Sequence, residues 1–289
     1  MLPFWISIAA LSLAQGVLVA LPGALAWTLP GHLRGRRWAA IPPLSVIAFV
    51  FGARAAEHAS AQALTYLALG AVPVLAALAL GWFLWNSRPP LRSRLRRAVL
   101  VAPLFTLAWA DRGGLAGEAA ALALSALSCA ALGVLLATVT PPRWLGAGII
   151  AMAVADTALV ISDLLQQPNN ALNAAHPVAG LPQLQSAVFG SAVMGYGDLF
   201  IAGVLGGLLA ATVGRRLQLR AAALTAILAL GFDLLFFLVD ELPATVPVAL
   251  ALVLIVLTRR RRSAPGEEAP PRRPSGAERT PQLRAPAAR

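Results

Sequence analysis

Gly195-Tyr196-Gly197-Asp198 places a carboxylate directly behind two glycines, inside an otherwise apolar stretch of membrane length. A charged side chain at a bilayer centre costs about 3 kcal/mol on insertion scales, so it is kept where it has a partner or a task. Asp156 and Asp163 lie on the preceding apolar segment, and Asp233 on the following one. Two carboxylates within hydrogen-bonding reach in a low-dielectric site cannot both ionise, and they share a proton. One can then act as base on a bound water while the other donates to a peptide carbonyl, which is the chemistry of an aspartic protease.

The elements that must position these acids are membrane helices. Mean hydropathy is +0.75, with 58% hydrophobic and 12% charged residues, which excludes an ordinary soluble domain. Nine apolar stretches follow one another, near 5–28, 38–53, 63–86, 98–110, 114–139, 145–165, 187–213, 220–239 and 243–258. The fold class expected is all-α, a polytopic membrane helix bundle of about nine transmembrane helices. Residues 1–258 form the membrane domain, 145–258 its site-bearing half, and 259–289 a disordered Arg/Pro-rich cytoplasmic tail.

Arginine sets the topology. Of the 23 basic residues, all but Arg54 and Arg112 fall in alternate loops or in the tail. By the positive-inside rule the N-terminus is outside and the C-terminus cytoplasmic. The first stretch lacks a basic leader and is followed by Arg34, Arg36 and Arg37, so it reads as a span rather than a cleaved signal peptide. The net charge of +11 is mostly this topology, with Arg259–Arg262 placed to meet anionic lipid headgroups. Nucleic acid is not an expected partner, because aromatic stacking groups are missing from the tail. Arg-only base usage and abundant Ala are the habit of a GC-rich, bacterial genome, and the expected location is the inner (plasma) membrane, multi-pass.

Depth along each helix follows from 1.5 Å per residue. Asp156 is about 20 Å and Asp163 about 30 Å from Arg143, and Asp198 is about 25 Å from Arg215. A spacing of seven puts Asp156 and Asp163 on one helix face, so either can meet Asp198. Gly190, Gly195, Gly197, Gly203, Gly206 and Gly207 recur along the seventh stretch, where small residues admit close helix packing. Gly195 and Gly197 also leave room for a substrate backbone beside the carboxylate. Residues 166–186 form an uncharged loop, apart from its single His176, rich in amides and turn formers, and read as a packed cap or access segment. Cys129, the single cysteine, reads as a buried structural thiol. The three histidines fall in separate loops, so neither a metal site nor a cofactor is expected.

The motif Gly195-Tyr196-Gly197-Asp198 with an upstream membrane Asp resembles the GxGD class of intramembrane aspartyl proteases, best presenilin and signal peptide peptidase. In that class an Asp on helix six pairs with the GxGD Asp on helix seven, and a Pro-Ala-Leu motif opens helix nine. Leu242-Pro243-Ala244-Thr245-Val246-Pro247 is similar to the latter, with Thr245 where the family has Leu. The resemblance implies a transmembrane or signal-peptide helix as substrate. Asp198 and a helix-six Asp would be catalytic, and Gly195, Tyr196, Gly197, Pro243 and Ala244 would lie against the substrate. More distantly, type IV prepilin peptidases carry GxGD and an Asp before a Pro-Asn pair. The stretch Asp163-Leu164-Leu165-Gln166-Gln167-Pro168-Asn169 is similar to this, and favours Asp163 as the partner, with Asp156 as the alternative. Two other functions compete: a proton- or cation-coupled transporter using the membrane aspartates as a relay, and a non-catalytic scaffold of the same fold. Oligomeric state is not legible.

Overall fold

Apolar runs with no water to satisfy their backbone become helices. The computed structural model describes residues 2–23, 34–55, 57–84, 90–239 and 242–263. In chain order these hold α1 (Phe4–Ala20), α2 (Ile41–Ala55), α3 (Glu57–Leu78), α4 (Leu91–Ala98), α5 (Val101–Ala110), α6 (Leu115–Val139), α7 (Pro142–Ile161), α8 (Gln166–Ala174), β1 (Ser186–Phe189), β2 (Ala192–Gly195), α9 (Tyr196–Thr212), α10 (Arg215–Asp233) and α11 (Val246–Ser263). Among the described residues four helical stretches are long and apolar enough to cross a membrane: Ala61–Phe83, Leu115–Val139, Pro142–Ile161 and Arg215–Phe237. Phe4–Ala20, Tyr196–Thr212 and Val246–Arg259 are apolar but shorter. The chain is mostly helical and has the make-up of a helical membrane bundle. Each of the nine apolar stretches contains a helix, although α2 has only 15 residues and α5 only 10.

The all-α expectation needs one amendment. The stretch 187–213 is not a single helix, because β1 and β2 form an antiparallel hairpin that pairs Ser186 with Gly195 and Phe189 with Ala192. Gly190 at φ 62° and Ser191 make its two-residue turn. A positive φ confined to the first central position is the type II′ pattern, whose twist suits a hairpin. The turn is held from two sides. The Gly190 N–H donates to Glu118 Oε2 of α6 at 2.6 Å, and the Ser191 N–H to Ser7 Oγ of α1 at 3.1 Å.

From the hairpin the chain passes straight into α9, the central helix, which is buried from Leu199 to Leu209. Its glycines explain how it fits. A Cβ on Gly203 would lie 2.3 Å from the Cys129 carbonyl oxygen, and one on Gly207 would lie 2.5 Å from that of Gly133. The α6 and α9 backbones therefore touch directly, as small-residue pairs allow in lipid. Gly206 faces the other way, where a Cβ would come within 2.8 Å of the Leu18 carbonyl oxygen of α1. Cys129 is buried in the α6–α9 seam.

The 166–186 segment is a packed cap. Its first half is α8, which packs on α2 and α3. Its second half is tied back by Gln183 Nε2, which donates to the Ala175 carbonyl at 3.0 Å, and by Gln185 Nε2, which donates to the same oxygen at 2.9 Å. Helix α11 continues to Ser263, so residues 259–263 of the expected disordered tail are helical. Residues 264–289, His32 and the Asp240-Glu241 pair lie outside the described residues.

Candidate active site

Asp198 is the third residue of α9, whose N-cap is Gly195. Its carboxylate folds back to accept the Gly195 N–H, the reciprocal half of a capping box. A Cβ on Gly195 would sit 3.0 Å from Asp198 Oδ2, so a side chain there would press on the carboxylate. At Gly197 a Cβ would meet only Met152 Cε of α7, at 3.8 Å. The missing side chain at 197 thus leaves space beside Asp198. The first glycine of the motif lets the acid fold back; the second keeps its flank open.

Tyr196 points the other way. Ser128 Oγ of α6 already donates to the Ser125 carbonyl at 2.7 Å, so the Tyr196 hydroxyl donates to Ser128 Oγ, also at 2.7 Å. Tyr196 therefore anchors the start of α9 to α6, and its hydroxyl is not offered to a substrate.

Helix α7 packs on both α9 and α11. It carries Asp156 into that three-helix junction, where the residue is only 6% exposed. Asp156 thereby comes within electrostatic reach of Asp198 across the α7–α9 interface. Thr245, fully buried, donates its hydroxyl to Asp156 Oδ2 at 2.7 Å, and its backbone N–H also reaches that carboxylate. The next residue back, Ala244, has its carbonyl held by Gln15 Nε2 of α1 at 3.1 Å. So the Pro243-Ala244-Thr245 stretch reaches the Asp156 carboxylate of α7 directly, and α1 fixes that stretch from behind.

Asp163, favoured as the partner by its neighbours in sequence, is not brought to Asp198 in this way. Helix α7 stops at Ile161, two residues short of it. The Leu164 N–H bonds the Leu159 carbonyl and the Asp163 N–H the Val160 carbonyl, both at 3.0 Å. That is a Schellman motif, with Asp163 in its left-handed position at φ 54°. Leu159, Leu164 and Leu165 close the motif against Val50 of α2. The exposed Asp163 instead lines an open cleft of about 430 Å³, with Thr157, Val160, Gln166, Val239 and Pro243. Because glycine suits that backbone better than aspartate, Asp163→Gly is expected to raise stability by about 0.5–1 kcal/mol. Equilibrium unfolding of the purified variant beside wild type checks this; a fall in stability would contradict the motif.

Asp233 has its own partner. At the end of α10 it accepts the Ser12 hydroxyl of α1 at 2.7 Å. With Ser7 on the hairpin turn and Gln15 on Ala244, one face of α1 is a row of buried polar side chains, each holding a different element. Sequence reasoning missed these roles, although Ser7, Ser12 and Gln15 stand at near-helical spacing in an apolar run. That pattern marks a polar seam inside a bundle. Among the described residues no group of three His, Cys, Asp or Glu side chains could hold a metal ion.

No protein-family model matches this chain, and neither a curated protein nor a solved structure does.

Proposed function

We propose that this chain is an intramembrane aspartyl protease with Asp156 and Asp198 as its catalytic pair. The observation that carries the reading is the junction of α7, α9 and α11, which brings two carboxylates far apart in sequence within electrostatic reach of each other in an apolar bundle. Among the described residues neither acid has a counter-charge, and an acid kept so has work to do. In this reading α1, α2, α3, α5, α6, α7, α9, α10 and α11 are nine spans of a bacterial inner-membrane protein. Its N-terminus is outside and its arginine-rich C-terminus cytoplasmic, as the alternation of arginines supports.

The reaction is hydrolysis by an activated water. One carboxylate takes a proton from water, whose oxygen bonds the peptide carbonyl carbon, while the other gives its proton to the carbonyl oxygen. The tetrahedral diol then collapses: the carboxyl that accepted the water's proton passes it to the leaving nitrogen, the C–N bond breaks, and the other carboxylate takes a proton back from a diol hydroxyl as the C=O re-forms. The pair ends as it began, holding a single proton. A substrate helix must unwind to expose its peptide bond, and the cleft between the end of α7 and Pro243 supports sideways access. Strand β2 ends one residue before Tyr196, so an extended segment laid along its edge runs toward Asp198.

A relay running through Asp233 as well gains no support, because Asp233 is engaged by the Ser12 hydroxyl. Transition-state complementarity supplies the test. A transmembrane peptide with a hydroxyethylene group replacing the scissile bond is expected to bind about 100-fold tighter than the plain peptide. The preference is expected to vanish in Asp198→Asn. Equal binding of the two peptides by wild type would count against hydrolysis.

A further inference from the structure

Thr245 stands just before Val246, the first residue of α11. A threonine there ordinarily turns its oxygen to the N–H groups at the second and third helical positions. Pro247 occupies the second position and has no N–H. The hydroxyl is fully buried, and such a group must find a partner. It finds one across the helix boundary, donating to Asp156 Oδ2 at 2.7 Å. Among the described residues Asp198 has no comparable hydroxyl; its donor is the Gly195 N–H of its own helix turn. The two carboxylates are therefore not equivalent, since one is held by a side-chain and a backbone donor of Thr245, just ahead of α11, and the other by one local donor. Donors directed at a carboxylate favour its charged form.

We propose that Thr245 is a positioning residue that divides the labour of the pair, making Asp156 the base that takes the water's proton and leaving the shared proton on Asp198. This rests on the protease reading for its consequence in turnover, but the division of the proton stands on the donors that each carboxylate meets, Thr245 at Asp156 and Gly195 at Asp198. Gln15 belongs to the same device, because its bond to the Ala244 carbonyl fixes the turn from which Thr245 reaches out. The leucine-like side chain that the resemblance would place at 245 could not do this. In this chain the hydroxyl is part of the site.

The test uses the purified full chain and reads the protonated-carboxyl C=O stretch by infrared difference spectroscopy against the Asp156→Asn/Asp198→Asn double variant. Asp198→Asn is expected to show no such band from Asp156, and Thr245→Ser/Asp198→Asn is expected to behave alike. In Thr245→Val/Asp198→Asn the band is expected to appear, because the donor is gone while the burial is kept. A band already present in Asp198→Asn, or none in the valine variant, overturns the proposal. In turnover of a transmembrane reporter peptide, Thr245→Val is expected to lower kcat by about ten-fold or more with KM little changed, and Thr245→Ser to retain most of the rate. A valine variant turning over at the wild-type rate also overturns it. Wild type that cuts nothing while the band behaves as stated would sink the protease reading and leave the hold of Thr245 on Asp156 standing.

Discussion

Replacing Asp156 by Asn is expected to abolish cleavage of transmembrane peptides as completely as replacing Asp198, by about a thousand-fold or more in kcat/KM. Asp163→Asn is expected to stay within about three-fold of wild type, because a cap residue in an exposed cleft contributes little beyond its backbone bonds. The contrast follows from geometry. Asp156 lies in the junction with Asp198 and Thr245, and Asp163 lies past the end of the same helix, in its C-terminal turn. Members of one catalytic unit fail together, so the Asp156→Asn/Asp198→Asn double variant is expected to be no slower than either single one. Initial rates on one fluorogenic peptide for wild type and the four variants decide the matter. Loss in Asp163→Asn with retention in Asp156→Asn would reverse the assignment.

The second large effect is structural. Gly203→Ala is expected to cost about 3 kcal/mol, because its Cβ would stand 2.3 Å from a carbonyl carbon's oxygen on Cys129, which belongs to the α6 backbone and cannot swing aside. Gly207→Ala, at 2.5 Å from the Gly133 carbonyl oxygen, is expected to behave similarly. Gly231→Ala on α10 is the control, since a Cβ there meets nothing within 4 Å. It is expected to be neutral, or to gain about 0.5–1 kcal/mol from helix propensity. Unfolding curves of the three variants in one detergent separate these outcomes. A Gly203→Ala protein as stable as wild type would mean that α6 and α9 do not touch through their backbones.

Much of this was legible because its signals are local. The apolar runs, the GxGD turn and the glycine spacing on α9 each lie within one element, and each reads directly into a helix or a contact face. What the sequence hid is of two kinds. The hairpin was hidden by apolarity, since Ser186–Phe189 and Ala192–Gly195 continue the hydropathy of α9. The Gly190-Ser191 pair between two short β-prone runs was nonetheless a II′ turn signal. The choice between Asp156 and Asp163 depended on where α7 ends. Nothing in Val160-Ile161-Ser162-Asp163 announces a stop, because aspartate fills the position where glycine usually sits. The stop is set by packing of Leu159 and Leu165 on Val50 of α2, more than a hundred residues earlier. The roles of Ser12 and Gln15 are likewise long-range, as their partners Asp233 and Ala244 lie at the far end of the chain.

One measurement tests the central claim most directly. The purified chain is reconstituted in liposomes with a transmembrane peptide, and the products are mapped by mass spectrometry beside those of Asp198→Asn. The account predicts new termini within the membrane-embedded part of the peptide, made by wild type and lost in the variant. Intact peptide with wild type, or the same fragments with Asp198→Asn, would contradict it.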